Sequence, residues 1–266
     1  LPDQHKFHRY RRTLYQTIGW NKVTRTNDEQ IDANMWFFDA GNRLPSSQNK
    51  PLDGDPKLIE VAPTVEAKWF HRARSALNYG VPVKPKSIMT RFRWHGAPPD
   101  DVHRWGHYFL VSERFRTIVE QFEPGMHQFF PVTILGARQV VIMVMYVLVP
   151  NVALRCFSKL SYGYEPIGWE KHWGDHIWHI QGSCRDPRLI FEDAKVNGHH
   201  LWVAIDCWDR PIMVSNALRI GLLEANLTNM GFAPAESREQ VRWALPEIVK
   251  SKFAVDPPWM AWLADE

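Results

Sequence analysis

YFLVSERFRTIVEQFEPGMHQFFPVTIL, residues 108–135, changes its hydrophobic period from strand to helix and back to strand, and that change decides the fold class. Residues 108–111 are a short apolar run. Ser112 then offers a hydroxyl oxygen to one of the unsatisfied N–H groups of a helix start. Phe115, Ile118, Val119 and Phe122 recur at three- and four-residue intervals, while Arg114, Arg116, Thr117, Glu120 and Gln121 fill the other side. An amphipathic helix with one buried stripe is predicted. Pro124 and Gly125 stop it, and HQFFPVTIL resumes as an apolar strand. No catalytic constellation is visible in this unit.

The same grammar returns in HHLWVAIDCWDRPIMVSNALRIGLLEANLTNMGFAPA, residues 199–235. Val-Ser recurs at Val214 and Ser215, followed by a stripe of Leu218, Leu222 and Ala225 and a stop at Asn229 and Gly231. Arg116 and Arg219, Phe129 and Phe232, and Pro131 and Pro234 stand at matching offsets. The fold class expected is α+β: a mixed sheet with short amphipathic helices and two strand–helix–strand units. Duplication of one unit and convergent capping chemistry both account for the likeness. A period seen only twice does not make a solenoid.

These two blocks, VSERFRTIVEQFEPGMHQFFPV and, after HLW, IMVSNALRIGLLEANLTNMGF, carry a resemblance. The chain resembles the immunity-protein family of bacterial polymorphic toxin systems, DUF-type immunity domains encoded beside secreted toxins in contact-dependent and type VI secretion loci. The resemblance covers residues 80–235. It implies a cytoplasmic, non-enzymatic protein that binds and neutralises one cognate toxin, with no cofactor and no catalytic residue to carry over. The organisation it implies is an N-terminal variable segment over 1–80, an immunity-like core over 81–238 and a C-terminal tail over 239–266 packed on that core.

Composition agrees with a folded protein. With 266 residues and 45% hydrophobic content the chain can bury a large core. Its 13 Trp supply core volume and partner anchors alike. Cys156, Cys184 and Cys207 are widely spaced and odd in number, which favours free thiols in a reducing compartment over a disulfide framework. A net charge of +3 is too mild to point to nucleic acid without a clustered basic face. The opening residues LPDQHKFHRYRRTLYQ lack the apolar centre of a secretory signal, although the first residue is not Met and a removed leader would leave no trace. VVIMVMYVLV, residues 140–149, is too short to span a bilayer and is expected to be a strand buried on both faces, so no membrane insertion is expected.

Elsewhere, YRRTLYQTIGW and ANMWFFDAG read as strands, and residues 45–56 as a loop or boundary. VEAKWFHRARSALNYG reads as helical up to Gly80, TRFRWHGAPPDD as a strand end and turn, and residues 160–186 as long loops with short strands. REQVRWALPEIVKSK carries one more short helical pattern.

The most enzyme-like cluster is WEKHWGDHIWH. On a helix, His172, His176 and His179 would share a face and could hold zinc for a hydrolase, but Gly174 weakens the helix and the general-base Glu of HExxH is missing. A partner-facing loop is the competing reading. Trp169, Glu170, Trp173, Asp175, His176 and Trp178 then combine apolar anchors with charges that reject wrong partners, and ordinary core packing is the third reading. His199 and His200 precede a strand and, as neighbours there, are expected to face opposite sides. Ser112 and Ser215 lack a GxSxG elbow and read as caps, and Cys184 in GSCRDP reads as a structural thiol. Asp100 and Asp101 follow two prolines and read as a solvated turn. No phosphate-binding glycine loop occurs.

Overall fold

The computed structural model describes residues 34–40, 49–54, 77, 80–106, 108–158, 164–166, 178–180, 190–206 and 210–237. Two six-stranded sheets and two helices dominate them, an α+β architecture. In the first sheet the order is β2 (Lys50–Pro51), β3 (Arg91–Arg93), β6 (Gln128–Leu135), β7 (Val141–Val149), β5 (Tyr108–Val111) and β4 (Val102–Trp105). In the second it is β11 (Ile190–Phe191), β14 (Met230–Ser237), β1 (Met35–Ala40), β13 (Ile212–Ser215), β12 (Leu201–Ala204) and β8 (Ala153–Leu154). Both sheets are mixed: β3–β6, β11–β14 and β12–β8 pair in parallel, the other ladders antiparallel.

The helices begin where their caps place them. Ser112 Oγ accepts from the N–H of Phe115 at 3.2 Å and starts α1 (Glu113–Phe122). Ser215 Oγ accepts from the N–H of Leu218 at 3.1 Å and starts α2 (Asn216–Glu224). The strands flanking each helix are not neighbours. β5 and β6 both pair antiparallel with β7, and β13 and β14 both pair antiparallel with β1. Val111 and Pro131 thus stand on either side of Tyr146, as Val214 and Pro234 stand on either side of Trp36. The side chains follow suit. Arg116 lies 4.7 Å over the Tyr146 ring and Arg219 lies 3.9 Å over the Trp36 ring, the latter pair buried.

Strand alternation divides the interior. Phe109, Val111, Trp36, Phe38, Val203 and Val214 point into a central core shared by both sheets, with Phe115 and Val119 of α1 and Leu218 and Leu222 of α2. Tyr108 and Leu110 face a second core under the first sheet; Met35 and Phe37 face a third under the second sheet. With both faces covered, these strands carry unbroken apolar runs. The helices meet closely at Gly221, where an added Cβ would lie 3.2 Å from the Phe122 ring. β1 lies within residues 1–80 yet pairs on both edges with strands from 81–238, so the second sheet draws on both segments.

Residues 141–149 form a strand, but its expected burial holds only in its second half. Val140 is 64% exposed, Val141 60%, Ile142 36% and Val144 45%. β5 runs beside β7 only from Tyr146 to Leu148 before the chain turns at Ser112 into α1, so no described strand pairs with that edge over 141–145. The readings over 10–20, 65–76 and 238–252 lie outside the described residues.

Candidate functional site

The aromatic segment singled out for partner binding is bracketed by a small antiparallel ladder. β9 (Tyr164–Pro166) pairs with β10 (Trp178–Ile180), with Trp178 opposite Pro166 and His179 opposite Glu165. Residues 167–177 therefore join two paired strands. Trp178 opens β10, whereas Trp169, Glu170, Trp173, Asp175 and His176 lie outside the described residues, as does His172. The helix that would have set His172, His176 and His179 on one face is corrected at its end: His179 is in a strand, where the period of two replaces the helical four-residue repeat. Among the described residues no group of three or more His, Cys, Asp or Glu could hold a metal ion.

Ser112 and Ser215 have structural duties. Both serines cap helices. Cys156 is buried, and its thiol is pushed up to about 12 by burial and by the nearby Asp206 carboxylate, so no thiolate forms near neutral pH. Cys184 and Cys207 lie outside the described residues. No helix among the described residues is long and apolar enough to cross a membrane.

Asp101 corrects the expectation of a solvated turn. It is buried; Ser112 Oγ donates to its Oδ1 at 2.6 Å, and the Thr228 N–H donates to its Oδ2 at 2.9 Å. The Asp101 N–H in turn donates to Thr228 Oγ1 at 3.1 Å, and the Arg114 guanidinium stands 3.8 Å from Oδ2. Thr228 follows α2 and Asp101 precedes β4, so this carboxylate ties the end of one helix to the other sheet.

Glu123 makes the reciprocal tie. It follows α1, and its carboxylate accepts from His127 Nε2 and the Leu201 N–H, each at 2.8 Å, and from His199 Nδ1 and the His200 N–H, each at 3.1 Å. The Asn151 N–H donates to His127 Nδ1 at 3.2 Å, which leaves Nε2 to carry the proton given to Glu123. Burial pushes the Glu123 carboxyl up, but hydrogen bonds from His127, His200 and His199 outweigh it and hold it at about 2. His200 also bonds Ser215 Oγ at 2.8 Å, linking this tie to the second helix cap. The sequence offered no reading of Glu123, which immediately precedes the helix-stopping Pro124. Its sole signal was a carboxylate at a helix C-terminus, the end where the dipole disfavours negative charge and where other compensation is needed.

These caps and cross-ties join each helix end to the opposite sheet, and the Ser–His contact among them, Ser215 Oγ with His200 Nδ1, has its hydroxyl committed to the cap of α2. No curated protein matches the chain. A family model described as an immunity protein family, Imm11, matches residues 26–237, reaching from before β1 to the end of β14 and so taking in both sheets and both helices. The chain belongs to the Imm11 immunity protein family.

Proposed function

We propose that this protein protects a bacterial cell by binding one cognate toxin and covering its active site or substrate groove. The observation that carries the reading is the family match over residues 26–237. A lasting block requires slow dissociation, of nanomolar affinity or tighter over about 1,600 Å² of interface. A body cross-tied at Glu123 and Asp101 suits that task, because a preorganised surface loses little freedom on binding. Neutralisation here is binding without catalysis, in the cytoplasm, against a polymorphic toxin delivered by contact-dependent or type VI secretion. The contact residues proposed are Trp169, Glu170, Trp173, Asp175 and His176 on the stretch between β9 and β10, and Trp178 at the start of β10. Partner choice is further assigned to segments 1–80 and 239–266 around the 81–238 core, in which one strand–helix–strand device is used twice. Co-expression with the toxin encoded beside it is the test: this protein restores growth against that toxin and against no unrelated one. Unchanged killing with both proteins soluble would refute the reading.

A further inference from the structure

The sheet face beside the β6–β7 turn is built unlike the rest of the described surface. Directly opposed residues share a face of a sheet, so the register gives its layout. Arg93 lies beside Leu135 and Leu135 beside Val141; Arg91 lies beside Thr133 and Thr133 beside Val144. Of the six exposed large hydrophobics among the described residues, four are Val140, Val141, Ile142 and Val144. Exposed Pro131 adjoins them. The pairing slips between Ile134 and Leu135, with Met143 opposite the first and Val141 opposite the second, so Ile142 is the extra residue of a bulge.

Beyond the bulge, no described strand pairs with the outer edge of residues 143–145, because β5 stops at Val111 opposite Tyr146. Backbone N–H and C=O groups on such an edge are a template for an added strand. Charge surrounds this apolar centre unevenly. Asp53 answers Arg91 at 3.1 Å and Glu113 answers Arg116 at 2.7 Å, while no carboxylate among the described residues pairs with Arg93 or exposed Arg138.

We propose that this face, centred on Val141, Ile142 and Val144 and flanked by Arg93 and Arg138, docks an extended apolar strand of the toxin that carries acidic residues at its flanks. The inference rests on the reading of the protein as a toxin binder and is independent of whether the β9–β10 stretch also makes contact. Charge selects the occupant. A second copy laid on the same face about a two-fold axis would set Arg93 and Arg138 near their own kind, whereas an acidic-flanked strand complements them. The edge of residues 143–145, which no described strand pairs with, supplies main-chain affinity and the exposed valines supply side-chain selection.

The test uses the full chain and the toxin encoded beside it. Val144→Lys places a charge at the apolar centre, and Arg138→Glu reverses a flank. Both sites are exposed, so both variants fold and keep the wild-type melting temperature. Each should weaken toxin binding at least about thirtyfold, the factor that corresponds to a hot-spot loss. Arg138→Lys should bind within about threefold of wild type, because it keeps the charge. Wild-type protection with equal protection and equal affinity in Val144→Lys and Arg138→Glu would overturn the docking site alone. A wild-type chain that neither binds the toxin nor protects would overturn the toxin reading and this site with it. Sedimentation of the chain by itself closes the remaining route: a wild-type dimer that Val144→Lys converts to monomer would assign the face to a second copy instead.

Discussion

Replacing Glu123 with Ala removes the acceptor for four donors, two of which belong to fully buried groups. The His127 side chain is 0% exposed and Leu201 is likewise sealed in the central core. A buried donor left without a partner costs about 1–3 kcal/mol, so His127 and the Leu201 N–H together set a loss of roughly 3–4 kcal/mol once partial relaxation is allowed. The half-exposed His199 adds little, since water replaces its partner. For a chain of this size that loss lowers the melting temperature by about 6–16 °C. Glu123→Gln keeps one acceptor oxygen but turns an amide NH₂ toward a donor, and it should fall between wild type and Ala.

The pH dependence supplies a second readout. The folded Glu123 carboxyl titrates at about 2 against 4.5 for the unreacted group, so the unfolded chain binds the proton first as pH falls. Its contribution is fully present above 4.5, declines as pH drops toward 2, and is of the order of 3 kcal/mol. Urea unfolding of wild type and Glu123→Ala at pH 7, 4 and 3 checks both points. The gap between the two proteins should narrow on acidification. A loss under about 1 kcal/mol at neutral pH, or a gap that widens toward pH 3, would refute the reasoning.

Ser112→Ala should cost about 1–2 kcal/mol in chemical denaturation, because it removes both the α1 cap and the hydrogen bond to Asp101, and it should leave toxin affinity unchanged. Gly80→Ala should destabilise by about 1–3 kcal/mol: Gly80 sits at φ +67, and an added Cβ would lie 2.6 Å from the Val152 carbonyl oxygen. A melting temperature at or above wild type would contradict that packing. Trp173→Ala combined with Asp175→Ala should weaken toxin binding by at least about 2 kcal/mol with little change in melting temperature. A sharp fall in melting temperature would assign those side chains to the core instead.

What the sequence by itself determined here is local. Ser112 and Ser215 were legible as caps, and Phe115, Val119, Leu218 and Leu222 as buried stripes, because a cap acts three residues ahead and a helix face repeats within four. The apolar runs at residues 35–40, 108–111 and 141–149 were legible as strands from their composition. The two blocks around the helices carried the resemblance to immunity proteins, yet they did not contain the stretch before residue 80 that the family match includes.

Tertiary structure decided the rest, because the partners are distant in sequence. Insertion of β7 between β5 and β6, and of β1 between β13 and β14, is a matter of register that no local period encodes. Glu123 drew no reading at all, since His200, which bonds it, lies 77 residues on, and Asp101 looked like a solvated turn until Thr228 arrived 127 residues later. The valines of β7 looked buried because hydrophobicity says which residues gain from cover, whereas the end of β5 and the turn into α1 decide which of them receive it.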